Sequence, residues 1–517
     1  MARRASSSRA RRASSRSGAG RAAFLGALGA LGAVSAQAQD AAKPATVLQP
    51  TLTIRQTLTN NRDLASSNPQ GDLVTEVSPG VHLSSRSGRV QGTLDYSLDG
   101  FSYARESSRN AVQHSLSGVG RAELIENHAY VDVHASVAQQ ALSAYGTQSA
   151  GTGLIGNNQT QVSSLSITPS LRGKVRDWFD VLASVNWATS RSQSTTNGDS
   201  NAASANLDLG HRAGKLGWGL NLNHQKTDFI AGSSSYVDQA VARIDYYPRY
   251  DTKLTLRGGE QSTNIETGAR QGSATWGATA TWQPTDHTDV LLTADHQYFG
   301  NSHTFSLTHR MPQSIWSYTD TSGVSTPTAA GMGTGGQVPL FQALLALNGG
   351  DPFAALRALQ NLPANLSANP IGLVPLGFLQ SSLTLQRTQT LGVTFNGLRD
   401  SITVNALRSQ NQQLPGLLAA ASGGDIGLYG AVRQFGLTLG LAHRLTPTSS
   451  LNLSASTLAT LDAPSQPGSR QRNYSITWSG ELGPHLGATL GARRIVFTSL
   501  AAPYNETAVV GTLGMKF

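Results

Sequence analysis

Histidine is the side chain that first prompts a search for metal binding or acid–base catalysis, and the 517-residue sequence contains twelve. None of them forms a pair at helical spacing beside an acid, as in a zinc protease. His303 and His309 lie in one segment with Phe305 and Leu307 between them, which is the spacing of one strand face. The sequence therefore predicts neither a metal site nor a cofactor.

The glycine, serine and cysteine patterns do not indicate an enzyme either. The glycine-rich stretch from Gly331 to Gly336 lacks the Lys-Ser/Thr that completes a phosphate-binding loop. No G-x-S-x-G elbow occurs, and the absence of cysteine excludes a thiol nucleophile, a disulfide framework and a thiolate metal site. A Ser–His–Asp set assembled by folding stays open, but no residue is singled out for it.

The positive charge is confined to the beginning of the chain. The formal net charge is +9, but seven arginines lie in the first 38 residues, which contain no acid. The remainder has 32 basic and 30 acidic residues, so it has no basic surface for nucleic acid, and we expect no nucleic-acid partner.

The first 38 residues have the block order of an export signal. A basic region precedes the apolar run from Ala22 to Val34, and Ser35-Ala36-Gln37-Ala38 follows as a small-residue cleavage site with Ala36 and Ala38. We predict a signal peptide over residues 1–38 and a mature protein over 39–517. Twin arginines at Arg3-Arg4 and Arg11-Arg12 leave the Sec and Tat routes both open.

The mature chain alternates apolar and polar residues with a period of two almost throughout. Leu73, Val77 and Leu83 alternate with polar residues in one segment, and Val131, Val133 and Val137 do so in another. Successive strand side chains point to opposite faces, so each segment has one apolar and one polar face. No stretch approaches the roughly 20 apolar residues of a membrane-spanning helix.

The connections between these segments are short and long in turn. Ten tight turns are predicted near 85–89, 125–128, 173–177, 213–215, 248–252, 284–288, 310–313, 397–400, 446–449 and 483–485. Longer polar stretches such as 143–161, 189–202 and 262–272 lie between them. This order is typical of an up-and-down outer-membrane barrel. The fold class is therefore all-β, a transmembrane antiparallel β-barrel of about 22 strands, with 18–24 as the range.

The polar faces predict the lining of the lumen. Charged residues of both signs occur among many Ser, Thr, Asn and Gln, so the wall suits hydroxyl-rich solutes; a network of ion pairs that only solvates the interior is equally open. The charged residues at predicted lumen positions are Arg55, Glu76, Asp95, Asp99, Arg121, Glu123, Asp132, Asp180, Asp208, Arg243, Asp245 and Arg257.

The carboxy-terminal segment has the pattern of a barrel-assembly signal. Val509, Gly511, Leu513, Met515 and the terminal Phe517 share one face. We therefore expect the barrel-assembly machinery and outer-membrane lipid as partners, and the outer membrane of a Gram-negative bacterium as the location. Tryptophans on predicted outward faces support a membrane interface; they are Trp187, Trp218, Trp276, Trp282, Trp316 and Trp478.

One region interrupts the alternation, at about 321–380. It is rich in Gly and Pro, and short amphipathic stretches follow Pro339 and Asp351-Pro352. The alternation of turns places this insert at the outer end of the barrel. It could fold inward as a plug, lie on the rim, or stand outside as a partner-binding loop, or have no role beyond a variable loop.

Four segments resemble a known family. They are Asp72–Val81, Arg89–Leu98, Ser108–Ser115 and Ala138–Gly146, and the resemblance is strongest over residues 47–150. The family is that of the PEP-CTERM system-associated outer-membrane β-barrel proteins, found near exopolysaccharide and exosortase loci. The resemblance implies a role in exopolysaccharide export or surface display, and it supplies no catalytic residues.

Three functions follow as hypotheses. The first is a pore or conduit for exopolysaccharide, working with the polymer and its export proteins. The second is a structural or adhesive barrel whose external loops bind partners while the lumen stays closed. The third, an outer-membrane hydrolase, has no supporting motif, and we predict that the protein is not an enzyme.

Overall fold

A computed structural model gives the fold of the chain. It describes residues 46–86, 88–148, 156, 158–193, 198–230, 234–265, 268–325, 378–380, 382–414 and 424–517. The predicted signal peptide with Ala36 and Ala38, and most of the predicted insert, lie outside the described residues.

The described residues are almost entirely β-structure, as the alternating sequence requires. The strands are β1 (Thr46–Thr59), β2 (Asp72–Arg86), β3 (Val90–Tyr103), β4 (Ala111–Ile125), β5 (Ala129–Ala141), β6 (Gln159–Val175), β7 (Phe179–Ser192), β8 (Ser200–Ala213), β9 (Leu216–Phe229), β10 (Ser234–Arg249), β11 (Thr252–Thr263), β12 (Gln271–Thr285), β13 (Thr288–Gln297), β14 (Gly300–Met311), β15 (Ser314–Ser325), β16 (Thr384–Asn396), β17 (Asp400–Gln413), β18 (Ala431–Thr446), β19 (Ser449–Thr460), β20 (Ser469–Gly483), β21 (Leu486–Ser499) and β22 (Tyr504–Lys516). A 3₁₀ turn covers Ser107–Arg109, and a short helix, α1, covers Gly424–Tyr429.

Each strand pairs antiparallel with its sequence neighbours, and β1 pairs with β22. The closing register sets Arg55 opposite Thr512 and Ile54 opposite Leu513, and Phe517 N–H donates to the carbonyl of Pro50. The sheet is thus a closed cylinder, so every strand has hydrogen-bonding neighbours on both sides and no edge is left unpaired. Among the described helices, none is long and apolar enough to cross a bilayer.

The predicted architecture is confirmed: the barrel is closed, antiparallel and has 22 strands. All ten predicted turns fall at one end, called here the short-turn end, where two or three residues connect each strand pair. The opposite, long-connection end carries the other connections, including 60–71, 142–158, 326–383 and 414–430.

The strands extend further than the polar loops suggested. β7 continues to Ser192 and β8 begins at Ser200, so much of the stretch predicted as a loop over 189–202 is strand. Residues 321–325 likewise belong to β15, so the interruption begins after Ser325. One connection at the long-connection end is short, because only residues 298–299 join β13 to β14. Segments rich in Ser, Thr and Asn therefore continue the strands here and do not mark the start of a loop.

The pairing register separates two faces consistently around the cylinder. The inner face carries Arg55 and Glu76, which lie opposite each other, and the outer face carries Ile54 and Val77. Large apolar side chains are exposed on the outer face, among them Leu256 at 67%. All six tryptophans placed outward from the sequence are in phase with this outer face; they are Trp187, Trp218, Trp276, Trp282, Trp316 and Trp478.

Buried apolar clusters lie where the strands reach the long-connection end. Leu64 packs on Ile495, Phe497 and Tyr504. A second cluster contains Ala144, Tyr145, Phe378, Ile426 and Val432, and a third contains Phe229, Ile265, Leu383 and Leu414. The packed core of this barrel is therefore at one mouth, and the middle of the lumen is lined by polar residues.

Candidate functional site: the lumen and its cap

The inner face brings the twelve charged residues predicted for the lumen onto one surface. The register carries the same phase from strand to strand, so that Arg121 lies opposite Asp132 and Arg243 opposite Arg257. Most of these charges neutralise one another in ion pairs. The lining therefore combines the two alternatives that the sequence left open, a polar wall and an ion-pair network.

Two ion pairs join neighbouring strands directly. Arg55 on β1 donates to both oxygens of Glu76 on β2 at 2.9 and 2.8 Å, and Ser78 adds a hydroxyl donor to Glu76 at 3.2 Å. Arg121 on β4 donates to Asp132 on β5 at 2.6 and 3.3 Å. These two-point contacts fix the guanidinium planes against the wall.

Two further ion pairs span three strands. Arg243 on β10 donates to Asp208 on β8 at 2.5 and 2.9 Å, passing over Gly219 of the intervening strand β9. A Cβ atom on Gly219 would lie 2.5 Å from Cζ of Arg243, so this glycine makes room for the guanidinium. The contact is possible because side chains converge on the concave side of a cylinder.

The second such pair has the same construction. Arg257 on β11 donates to Asp295 on β13 at 2.5 and 2.9 Å, and Gly277 of β12 lies between them in the register. A Cβ atom on Gly277 would lie 1.9 Å from Oδ1 of Asp295. Asp295 and both glycines were not among the predicted site residues. The sequence signal for such a pair is a glycine at an inner-face position, with an arginine on the strand before or after it and an aspartate on the other neighbouring strand.

The remaining predicted residues are distributed along the wall. Asp245 accepts one hydrogen bond from Thr255 at 2.5 Å and lies 3.2 Å from Lys253. Asp95 contacts His82 at 2.6 Å, and Lys174 lies 3.8 Å from Asp180. Glu123 accepts from Tyr130 Oη at 3.3 Å, and Asp99 lies on the inner face of β3.

One buried inner pair was missed from the sequence. Glu506 on β22 is fully buried, receives two hydrogen bonds from Arg493 at 3.1 and 3.3 Å, and accepts one from Thr59 at 3.0 Å. Breaking a buried pair leaves an uncompensated charge, so the Arg493–Glu506 pair stabilises the contact between β21 and β22, and the bond from Thr59 links Glu506 to β1 across the closure. The sequence indicated this pair only through Glu506, an acidic residue at the same alternating positions as Val510 and Thr512, which form the inner face of β22.

Segments from opposite walls meet across the long-connection end. Leu379 N–H donates to the carbonyl of Ala141 at 2.9 Å, and Phe378 forms a parallel bridge with Ala141. Ala141 ends β5, whereas residues 378–380 precede β16, which is half-way round the cylinder. We call residues 142–148, 378–380 and α1 the cap, because together they cross the mouth.

Further contacts hold the cap to the wall. Tyr504 Oη donates to the carbonyl of Gln148 at 2.5 Å, and Thr460 Oγ1 donates to the carbonyl of Ala144 at 3.0 Å. These bonds attach the connection after β5 to β19 and β22. The last described residues of the predicted insert, 378–380, therefore lie across the mouth.

Asp425 of α1 is the charged group at the centre of the cap. Its Oδ2 accepts from Ala144 N–H at 2.6 Å and from Ser143 Oγ at 3.0 Å. Burial raises the pKa of Asp425, and these two hydrogen bonds oppose that rise. Burial also raises the pKa of Tyr145, with the neighbouring Asp425 charge adding to the effect.

The dimensions allow a channel beneath this cap. Strands spaced about 4.8 Å apart and tilted by about 40° would close, at 22 strands, into a circular cylinder roughly 40 Å across between backbones. The long-connection mouth is narrower than that, because Leu379 is bonded to Ala141 on the opposite wall and lies only five residues before the start of β16 at Thr384. A circular wall of that width is not filled by its own side chains. The described connections at the short-turn end contain two or three residues and are too short to cross it.

The site has no metal centre within the part of the chain that the structure describes, because no group of three or more His, Asp and Glu side chains lies together there. Four residues of the predicted assembly signal, Val509, Gly511, Leu513 and Met515, lie on the outer face of β22, and Phe517 follows the last residue of that strand; Val509 and Phe517 are exposed.

No family model and no curated protein sequence matches the chain. Among solved structures, the siderophore receptor PirA from Pseudomonas aeruginosa is similar at 9% identity and a TM-score of 0.42, with 92% of this chain and 81% of that chain covered. The FrpB iron transporter from Neisseria meningitidis (F3-3 variant) is similar at 11% identity and a TM-score of 0.46, with 91% of this chain and 81% of that chain covered. OccK5 (OpdH) from Pseudomonas aeruginosa is similar at 8% identity and a TM-score of 0.34, with 91% of this chain and 98% of that chain covered. The barrel assignment rests on the strand pairing of this chain itself.

Proposed function

We propose that this protein is an outer-membrane β-barrel of a Gram-negative bacterium that forms a conduit closed at one mouth by the cap. The observation that carries the proposal is the closed 22-stranded cylinder, apolar outside and polar inside, with residues 378–380 bonded across its mouth to Ala141. A bilayer accepts a sheet only as a closed cylinder with an apolar outer face, because unpaired backbone groups are costly in hydrocarbon. The conduit opens when the cap leaves the mouth.

The proposed cargo is an exopolysaccharide, exported with the help of partner proteins of the same pathway. Ion pairs such as Arg121–Asp132 and Arg257–Asp295 leave the wall with little net charge. Ser, Thr and Asn between these pairs supply donors and acceptors for hydroxyl groups. Such a wall neither traps nor repels a neutral sugar chain, and the family resemblance of residues 47–150 adds the link to exopolysaccharide.

A disulfide across the mouth tests whether the cap is the gate. The chain has no cysteine, so A141C/F378C introduces the sole pair, at positions bridged to each other. We expect ion conductance in planar bilayers to fall when this variant is oxidised and to return on reduction. The single variant A141C, treated identically, should not respond.

A cap-release variant tests the conduit itself. F378A/D425A removes a buried ring and the carboxylate bonded to Ala144, which together weaken closure by about 3 kcal/mol or more. That change corresponds to more than about a hundredfold in the closing equilibrium. A folded, inserted F378A/D425A barrel that conducts no ions would rule out the conduit.

The cargo is tested in cells. A strain lacking the gene should accumulate polymer inside the envelope and release less, and wild-type protein but not oxidised A141C/F378C should restore release. Unchanged polymer release in the deletion strain would refute the exopolysaccharide assignment while leaving the conduit intact.

The packed cap also favours a second function, a closed barrel that displays its long connections to surface partners. In that case loss of the connections abolishes surface attachment and leaves polymer release unaffected. The conductance of F378A/D425A distinguishes the two, since a display barrel needs no opening mouth.

A further inference from the structure

The outer face of β16 to β21 carries a row of arginines near the long-connection end. Each lies in strand phase with exposed apolar residues, and all six side chains are exposed. The residues are Arg387, Arg408, Arg433, Arg470, Arg472 and Arg494. We call them the arginine row.

The row lies above an apolar band. On β18 the outer positions Leu437, Leu439 and Leu441 are apolar, and Arg433 follows towards the long-connection end. Aromatic rings mark the boundary, because Phe435 and Tyr474 are exposed at 41% and 48% next to arginines. Aromatic belts of this kind lie at the level of lipid headgroups.

The height of Arg408 matches a headgroup layer. Arg408 is eight residues beyond Asp400, which begins β17 at the short-turn end. Eight residues of a tilted strand rise about 20 Å, close to the roughly 25 Å apolar band of outer-membrane barrels. An arginine stem extends further and carries the guanidinium into the polar layer.

The row has far more positive than negative charge. Arg387 pairs with Asp320 of β15 at 2.7 Å, and Asp320 also contacts His303 and Gln389. Among the residues that the structure describes, Arg408 and Arg433 have no ion-pair partner. Asp462 lies in a nearby connection, but its carboxylate accepts a hydrogen bond from Gly468 N–H and pairs with neither arginine.

Another sector of the wall shows the contrasting arrangement. On the outer face near the ends of β9 and β12, Lys226 lies 3.0 Å from Asp228, and Arg270 lies 2.8 Å from Asp238. Outward cations at that position are thus neutralised by the protein's own carboxylates. In the arginine row, Arg387 alone has such a partner among the described residues, so the other five arginines are open to anions from outside the chain.

We propose that the arginine row binds the phosphate groups of a phosphorylated glycolipid in the outer leaflet. Arg433 lies opposite Gln410, and Arg408 lies two residues from Gln410 on β17, so the Cβ atoms of the two arginines lie on a diagonal that long side chains bridge. Guanidinium groups bind phosphate in two-point contacts, and acyl chains of the same lipid would cover Leu437 and Leu439. This surface rests on the proposed membrane location.

Lipid retention tests the site. Wild type, R408Q/R433Q and the matched control K226Q/R270Q are inserted into phosphatidylcholine vesicles containing lipid A, extracted in mild detergent, and assayed for bound lipid A by mass spectrometry. We expect wild type and control to retain it, R408Q/R433Q to retain roughly tenfold less, and R408K/R433K to recover part of the loss. Insertion is scored separately by heat-modifiable gel migration.

The other outcomes each contradict the site. Equal retention by wild type and R408Q/R433Q, both inserted, would overturn the lipid site while leaving the barrel proposal intact. Displacement of lipid A by inorganic phosphate or by a soluble anionic polysaccharide would reassign the row to that ligand. Failure of every protein to insert, even into pure phosphatidylcholine, would overturn the membrane barrel and this surface with it.

Discussion

At the scale of single residues, Gly277 determines whether two charges meet. Arg257 and Asp295 are two strands apart, and their contact passes over a position without a side chain. Gly219 has the same relation to Arg243 and Asp208. The inner ion pairs therefore depend on absent side chains as well as on charged ones.

The variant G277A should lose the Arg257–Asp295 contact, because the added Cβ would lie 1.9 Å from Oδ1 of Asp295. We expect a loss of about 1–2 kcal/mol in the free energy of unfolding, modest because the pair is partly exposed. Urea unfolding followed by tryptophan fluorescence measures it.

The control is G323A on the inner face of β15, where a Cβ would meet nothing within 4 Å. Alanine replaces glycine there without a clash and reduces the freedom of the unfolded chain, so stability should be unchanged or slightly higher. Equal losses in G277A and G323A would contradict the role given to Gly277.

At the scale of elements, the cap joins parts of the chain that are far apart in sequence. The connection after β5, the residues before β16 and α1 share one apolar cluster with Asp425 beside it. None of these elements has a strand signal, and each is held by contacts with the others. The loss of any one of these three elements should therefore destabilise the other two.

The closed cap should become more stable as the pH falls. Burial raises the pKa of Asp425, so the closed form binds a proton more tightly than an open form with a solvated carboxyl. The proton-linked stabilisation is complete below the ordinary carboxyl pKa and is lost as pH rises through the raised value. Conductance should therefore increase with pH in this acidic window.

The variant D425N isolates this group. An amide cannot ionise, so the conductance of D425N should lose that part of its pH dependence, while Tyr145, Tyr429 and Asp462 remain as nearby titratable side chains. A conductance–pH profile identical to that of wild type would exclude Asp425 as the titrating group.

At the scale of the whole molecule, the two faces of the wall should respond in opposite ways to charge. Leu453 and Ser454 are adjacent on β19, with Leu453 on the outer face and Ser454 on the inner. In phospholipid vesicles, L453R should lower the free energy of unfolding by about 2–4 kcal/mol, whereas S454R should change it little. Urea unfolding from vesicles measures both, and similar losses would contradict the assignment of the faces.

The cylinder also sorts charge around its circumference. Positive charge on the outer face is concentrated on β16 to β21, whereas Lys226 and Arg270 are paired. The sequence contained this signal, since Arg433 is in phase with Phe435 and Leu437. None of the six arginines was assigned to either face from the sequence.

The sequence by itself indicated about 22 strands, the positions of the ten short turns, and the inner or outer phase of the charged residues and tryptophans that were assigned to a face. A period of two and turn residues are local properties, and in an up-and-down barrel each strand pairs with its chain neighbours. Hence Arg55, Arg121 and Asp132 could be placed on one face in advance.

Only the tertiary structure decided which charges pair and how the mouth is closed. Asp208 reaches Arg243 across a third strand because side chains converge inside a cylinder, and that convergence has no signature in local spacing. The bond between Leu379 and Ala141 joins opposite walls. Such contacts form only after closure has fixed the distance across the lumen, so no alternation pattern encodes them.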